Sequence, residues 1–264
     1  MSGSGNDFMF VDAREVPPGP LDRVEAIRAI CARGTGVGAD GIVFLEPSSS
    51  ASVLLRYLNS DGSVAALCGN ATLCTARLFV ELGGAAPGEP FTIETAAGVL
   101  GAVVHAATGP EIDMPAVQQL TPESSISLVP GERQTGFAKV GIPHLVILCD
   151  DIEAVDVVGR GRPLRFDPAY PEGTNVDFVA RGPDDRWYMR TYERGVEGET
   201  LACGTGAVAS AVVLDSWGLA PSGGTIVTRS GKELRIGIRN EGEAIRPSLA
   251  GEARIVYRGF LGEI

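Results

Sequence analysis

Two cysteines stand at matched places in a sequence that repeats itself. Tyr57 to Gly83 reads YLNSDGSVAALCGNATLCTARLFVELG, and 135 positions later Tyr192 to Gly218 reads YERGVEGETLACGTGAVASAVVLDSWG. At that shift Tyr57 falls on Tyr192, Cys68 on Cys203, Gly69 on Gly204, Ala76 on Ala211 and Gly83 on Gly218. Each Cys-Gly precedes an Ala/Leu/Val-rich run that reads as a helix, which sets each sulfur at a helix start. Unpaired N–H groups and the helix dipole favour negative charge there. The thiol pKa is therefore expected to fall, and the same N–H groups could grip a carboxylate. Gly69 and Gly204 have no side chain to hold a ligand off the backbone. Two such helices aimed at one space would hold an α-carboxylate with a sulfur on each face of the adjacent carbon. One thiolate would remove the α-proton and the opposite thiol would deliver another, which is two-base racemisation.

The remaining chemistry-bearing residues limit the alternatives. The only lysines, Lys139 and Lys232, sit in no site-like motif, so a pyridoxal Schiff base is not expected. His105 and His144 make no metal-ligand spacing with the cysteines. GTGVGADG runs into a strand rather than a helix, and no phosphate loop ending in Gly-Lys-Ser/Thr is present. Proton transfer with no cofactor and no metal is what remains. Cys31, Cys74 and Cys149 read as buried, inert thiols. A net charge of −11 argues against nucleic acid. No apolar run approaches bilayer length and MSGSGNDF has no signal-peptide pattern, so no membrane contact is expected and the location reads as cytoplasmic. The odd set of five cysteines fits a reducing compartment. The expected partner is a small-molecule amino acid, with a homodimer left open as the assembly.

The elements that must position these residues follow from apolar spacing. FMFV in SGSGNDFMFVD reads as a short buried strand, and Leu21 to Ala32 as a helix with Asp22 and Glu25 in its first turns and Arg33 and Gly34 at its end. Val53 to Leu58 is a strand that delivers Asn59 into the loop before Cys68, and Ala71 to Leu82 is a buried helix. Strand candidates follow at Phe91 to Thr95, Val99 to His105 and Glu111 to Met114, and Thr121 to Pro130 is the best boundary. The second half repeats the order, with strands at Phe137 to Val140, Leu145 to Cys149 and Arg186 to Thr191, and a buried helix at Thr205 to Leu214. Thr225 to Val227, Glu233 to Arg239 and Ala253 to Tyr257 read as strand and turn. Gly173 to Val179 matches Gly38 to Phe44, with Gly38 on Gly173 and Asp40 on Asn175, and Gly5-Asn6 falls on Gly141-Ile142 after a one-residue adjustment. A duplicated α+β unit is the economical explanation. Residues 1–120, joined by a C-terminal strand at 251–264, would carry Cys68, and 121–250 would carry Cys203.

CGN at Cys68 to Asn70, ACGTGA at Ala202 to Ala207, GSGNDF at Gly3 to Phe8, NSDGS at Asn59 to Ser63, GTNVDF at Gly173 to Phe178 and YERG at Tyr192 to Gly195 occur in one order along the chain. In these motifs the sequence resembles the diaminopimelate epimerase family. The resemblance implies two pseudo-symmetric α/β halves, each a sheet or open barrel wrapped around a central buried helix, with the site in the cleft between them. It implies cofactor-independent interconversion of LL- and meso-diaminopimelate, on the route to lysine and peptidoglycan. Carried over by position, Cys68 and Cys203 would be the acid/base residues. Backbone N–H groups of Gly69, Asn70, Gly204 and Thr205 would hold the α-carboxylate at the reacting centre. Asn6, Asn59, Asn175, Glu193 and Arg194 would contact the substrate, and His144 and Glu193 would tune the thiol pKa values.

The sequence departs from the family in named places. The first motif usually continues Cys-Gly-Asn-Gly-x-Arg-Cys, whereas Ala71 and Leu73 stand here in place of the second Gly and the Arg. Gly-Asn-Pro-His is usual where this chain has Gly141-Ile142-Pro143-His144, which removes an amide from the distal recognition set. The chain also opens on the Gly-Ser-Gly turn without the few strand residues that precede it in the family. Ile142 therefore raises a racemase for a shorter or more apolar amino acid as an alternative. The related proline racemase and hydroxyproline epimerase group usually carries Cys-Gly-His at the first site, against which Asn70 speaks. A non-catalytic relative has no need of paired thiols, and a thiol-redox protein would show no exchange at Cα.

Overall fold

The computed structural model describes residues 1–65 and 67–262. Its chain divides into two compact units, Met1–Ile112 with Gly251–Ile264, and Asp113–Ala250.

In the first unit, seven strands lie side by side in chain order: β1 (Ser2–Gly3), β2 (Asn6–Asp12), β3 (Gly41–Glu46), β4 (Val53–Asn59), β5 (Phe91–Thr95), β6 (Gly98–His105) and β7 (Gly109–Asp113). β2 and β3 are parallel, as are β4 and β5, while the other neighbours are antiparallel. A parallel pair needs a crossover, and the two crossovers carry the helices α1 (Val24–Cys31) and α2 (Gly69–Glu81). The second unit repeats this plan with β8 (Gln119–Thr121), β9 (Glu132–Val140), β10 (Ile142–Cys149), β11 (Asn175–Arg181), β12 (Trp187–Glu193), β13 (Gly198–Thr200), β14 (Gly223–Val227), β15 (Glu233–Glu241) and β16 (Ala244–Gly251). Its order is β16-β15-β14-β12-β11-β10-β9-β8, with β13 paired to β12. The parallel pairs are again two, β10 with β11 and β12 with β14, and their crossovers carry α3 (Val157–Arg165) and α4 (Gly204–Ser216). The expected fold class, two pseudo-symmetric halves with a sheet around a central helix, is what the chain adopts.

The helix interiors explain the compositions. Every residue of α4 from Gly204 to Leu214 is buried, and α4 packs on β9, β10, β11, β14 and β15. A helix apolar all round has no solvent face to offer, so it sits inside its sheet. Full burial of Val208, Val212 and Val213 contributes roughly 1.5–3 kcal/mol each. α2 packs on β1, β4 and β6, and its first eight residues, Gly69 to Ala76, are buried as well. The two departures on α2, Ala71 and Leu73, are both fully buried. An arginine at the place of Leu73 would have to bury its charge, which is costly without a partner.

Some expectations shift. The helix expected over 21–32 begins with a 3-10 turn at Gly19–Asp22, and α1 starts only at Val24. Asp22 pairs with Arg56, and Arg33 pairs with Asp7 and Asp40 rather than with the helix end. α3 lies in a stretch where no element is expected from the sequence. Asp156 accepts the Gly159 N–H at 2.9 Å and caps it, and a Cβ on Gly161 would stand 2.5 Å from Tyr192 Cβ. Its glycine is thus a packing requirement. β16 runs through Pro247, while Ala253 to Tyr257 is no strand beyond a single bridge of Arg254 to Ser2. That bridge has two backbone hydrogen bonds of 2.8 Å and ties the segment after Gly251 to the start of the chain.

Candidate active site

Cys68 and Cys203 are the N-cap residues of α2 and α4. Their backbones are the same to within a degree, with φ −130° and ψ 109° at Cys68 and φ −131° and ψ 110° at Cys203. Extended φ/ψ at the N-cap turns the first N–H groups of the helix outward past the capping side chain. Gly69 and Asn70 open one helix, Gly204 and Thr205 the other. Cys203 Sγ accepts the Gly206 N–H at 3.4 Å and lies 3.5 Å from Thr205 Oγ1. At Cys68 the carbonyl accepts from the Thr72 hydroxyl at 2.9 Å.

The expected fall in thiol pKa is reversed at Cys203. Burial comes first in pushing its thiol well above the usual range, with the charges of Glu193 and Asp177 adding to it. The hydrogen bonds from Thr205 and Gly206 only oppose this. The helix terminus acts within its first turn, but it does not outweigh desolvation of a residue that is only 6% exposed. Burial thus favours the thiol form at Cys203, and the charge of Glu193 acts in the same direction. Cys31, Cys74 and Cys149 are buried, and burial pushes Cys74 and Cys149 up to about 12.

In the first unit, amides surround the α2 turn. Asn70 Nδ2 donates to Asn6 Oδ1 at 2.7 Å, and Asn6 Nδ2 donates to Asp40 Oδ2 at 2.9 Å. Asp40 in turn accepts from Arg33. Asn70 is 1% exposed, and its Oδ1 has no hydrogen bond among the described residues. Asn59 ends β4 and is held apart from this chain of amides, donating to Ser63 Oγ at 3.0 Å.

In the second unit, a buried network takes their place. His144 on β10 and Asp177 on β11 are both fully buried, with Nδ1 and Oδ2 2.7 Å apart. Asp177 Oδ1 accepts from the Thr191 hydroxyl at 2.7 Å and lies over the first turn of α4, where a Cβ on Gly206 would meet it at 2.5 Å. Asn175 Oδ1 accepts the Arg194 N–H at 2.7 Å, and Arg194 Nη1 donates to the Glu172 carbonyl at 2.8 Å. The structure thus joins Asn175 to Arg194, Cys203 to Thr205, and His144 through Asp177 to the α4 turn. Asp177, Thr191 and Gly206 were not anticipated. The signal was present in GTNVDF, because strand alternation puts Asp177 on the same face as Asn175.

The pairing of strands also corrects the internal alignment. Ile42 with Leu58 and Val43 with Tyr57 are partners in β3–β4, as Val176 with Tyr192 and Asp177 with Thr191 are in β11–β12. Ile42 and Leu58 pack under α1, while Val176 and Tyr192 pack in the core that α3 covers. Tyr57 therefore corresponds to Thr191, not to Tyr192, and Asn59 to Glu193, not to Arg194. The loop leading to Cys203 is one residue longer than that leading to Cys68, which hid the offset. Likewise Phe8 with Gly41 matches His144 with Asn175, so Asn175 corresponds to Gly41 rather than to Asp40. A Cβ on Gly41 would stand 2.4 Å from the Leu58 carbonyl oxygen and 2.5 Å from the Tyr57 ring, so backbone and side chain together require glycine there.

The family model described as diaminopimelate epimerase matches residues 1–119 and 136–256. A relative from Gemmatimonas aurantiaca named diaminopimelate epimerase is 45% identical over 98% of this chain and 96% of its own length. One of the same name from Archaeoglobus fulgidus is 40% identical over 99% of this chain and 94% of its own. Among solved structures, a Bacillus anthracis phenazine biosynthesis protein of the PhzF family superposes with a TM-score of 0.72 at 16% identity, covering 94% of this chain and 90% of that one. At that identity the likeness shows the fold alone.

Proposed function

The chain belongs to the diaminopimelate epimerase family, and from that premise we propose that it interconverts LL- and meso-diaminopimelate by two-base proton transfer at Cα. The observation that carries this is the pair of cysteine N-caps with the same backbone geometry, each standing at the start of a helix. Cys68 and Cys203 exchange the α-proton, one as thiolate base and the other as thiol acid. N–H groups of Gly69, Asn70, Gly204 and Thr205 bind the α-carboxylate, whose charge suits a helix start. Asn6, Asn59, Asn175, Glu193 and Arg194 hold the rest of the substrate, Arg194 by its fork of donors on a carboxylate. His144 and Glu193 set the protonation of the thiols, and no cofactor takes part. The reaction belongs to lysine biosynthesis. The enzyme works in the cytoplasm as a homodimer, and among the described residues no helix is long and apolar enough to cross a membrane.

The test is exchange at Cα. Single stereoisomers of diaminopimelate and of a panel of other amino acids are incubated with the protein in deuterated water under reducing conditions. Deuterium should enter diaminopimelate and appear with inversion. The panel matters because Ile142, the first residue of β10, brings no amide to the distal end of the substrate. Exchange confined to an amino acid with an apolar side chain would replace diaminopimelate as the substrate. Absence of exchange in every case would end the two-thiol proposal.

A further inference from the structure

His144 is the residue of this site with one side of its ring fixed and the other left open. Nδ1 is 2.7 Å from Asp177 Oδ2, and Nε2 makes no hydrogen bond among the described residues although the side chain is fully buried. Buried polar atoms without partners are rare in folded proteins, and they concentrate where function needs them. Asp177 is itself fixed twice. Its Oδ1 accepts the Thr191 hydroxyl at 2.7 Å, and the first turn of α4 closes over it at Gly206, a position where a Cβ would be only 2.5 Å from that oxygen. A carboxylate bonded to a hydroxyl on one oxygen and an imidazole on the other has only acceptors to offer. The imidazole must then present Nδ1–H to it, because a neutral ring carries one proton on one nitrogen.

We infer that Asp177 is a positioning residue that holds the His144 proton on Nδ1, so that Nε2 offers a lone pair for proton transfer during epimerisation. This rests on the two-thiol reading above. A proton passing from a thiol to Nε2 leaves its electron pair on sulfur and makes an imidazolium. The Asp177 carboxylate, already in contact with Nδ1, offsets that charge in a place water does not reach. In the first unit Phe8, Val43 and Tyr57 occupy the corresponding places, and Phe8 and Tyr57 meet edge to face with centroids 5.6 Å apart. The device therefore belongs to one half of the duplication.

The chain has two histidines, His105 and His144, so ring ¹⁵N spectra of histidine-labelled protein contain two spin systems. His105 is exposed and His144 is fully buried, which separates their responses to solvent. In the wild type, the buried ring should carry its proton on Nδ1, with Nε2 bare. Asp177→Asn, which offers an amide donor to the same nitrogen, should move the proton to Nε2. The same variant should lose about 10²- to 10⁴-fold in kcat with KM changed no more than a few-fold. Thr191→Val, which keeps the carboxylate, should leave the tautomer on Nδ1 and lose far less rate. A wild-type ring protonated on Nε2 would overturn the inference even if Asp177→Asn did not fold. So would a folded Asp177→Asn enzyme with the wild-type kcat. The tautomer is read without substrate, so a wild type that exchanges no amino acid defeats the two-thiol reading and leaves this measurement standing.

Discussion

Where the second unit buries His144, Asp177 and Thr191, the first buries Phe8, Val43 and Tyr57. The cysteine turns themselves are kept, with N-cap angles that agree within a degree. Duplication has thus preserved the part that places a sulfur and a row of N–H groups, and has changed what lies behind it. In the first unit an aromatic pair fills the corresponding strand positions, and the amides Asn6 and Asn70 bond to each other at the turn. In the second it is backed by a carboxylate, with Glu193 where the first unit has Asn59. The difference shows that pseudo-symmetry here is a property of the backbone and not of the electrostatics.

The most forceful way to break the comparison is to remove either sulfur. Cys68→Ala and Cys203→Ala should each lose about 10²- to 10⁴-fold or more in turnover, measured as Cα deuteration with inversion. If one of them retained wild-type turnover, the two turns would not share one reaction. Next comes the attempt to give the first unit the second unit's charge. Val43→Asp would bury a carboxylate among apolar neighbours with neither histidine nor threonine to meet it. It should cost about 3–5 kcal/mol in urea unfolding, and a cost under 1 kcal/mol would mean that the first unit already tolerates the second unit's chemistry. Smaller effects are expected at the helix position that the two units fill differently. Gly206→Ala would drive a methyl against Asp177 and should cost about 1–3 kcal/mol. At its counterpart, Ala71→Gly only adds backbone freedom and should cost about 1 kcal/mol. Equal costs would show that the carboxylate over α4 does not set the size limit there.

The smallest effect is one the units share. Cys74 in the first and Cys149 in the second are buried thiols pushed up to about 12. Because their folded pKa lies above the unfolded value of about 8.5, the stability each contributes is complete below that value and is lost as pH rises from there to about 12. Between pH 8 and 9 the loss should stay under about 1 kcal/mol per thiol. Cys74→Ala and Cys149→Ala should each flatten the alkaline slope of unfolding free energy by a similar amount.

The strongest features of this fold were legible because they are written twice. A helix of small apolar residues after Cys-Gly can be read from composition, and two copies in one order pointed to a duplicated α+β unit. What failed to show was mostly a matter of one residue. Tyr57 and Tyr192 attract each other in an alignment, yet strand pairing sets Tyr57 opposite Val43 and so matches it to Thr191. A single extra residue in a loop is invisible when aromatic residues happen to line up, and it moves every side chain of the strand to the other face. α3 was hidden because its glycine answers to the Tyr192 side chain from a distant part of the sequence. The direction of the Cys203 pKa was missed for a related reason: a helix terminus is local and can be read, while burial depends on what the rest of the chain brings to cover it. Asn6, Asn70, Asn175 and Arg194 could be named from motifs, but not which of them bond to one another.

The bridge between Ser2 and Arg254 has a consequence for how the molecule is made. The second unit is one continuous stretch, Asp113–Ala250, whereas the first needs residues from both ends of the chain. During synthesis the later-encoded unit can therefore close first, while the earlier one waits for Arg254 to reach Ser2. The half that is translated first is the half that is finished last.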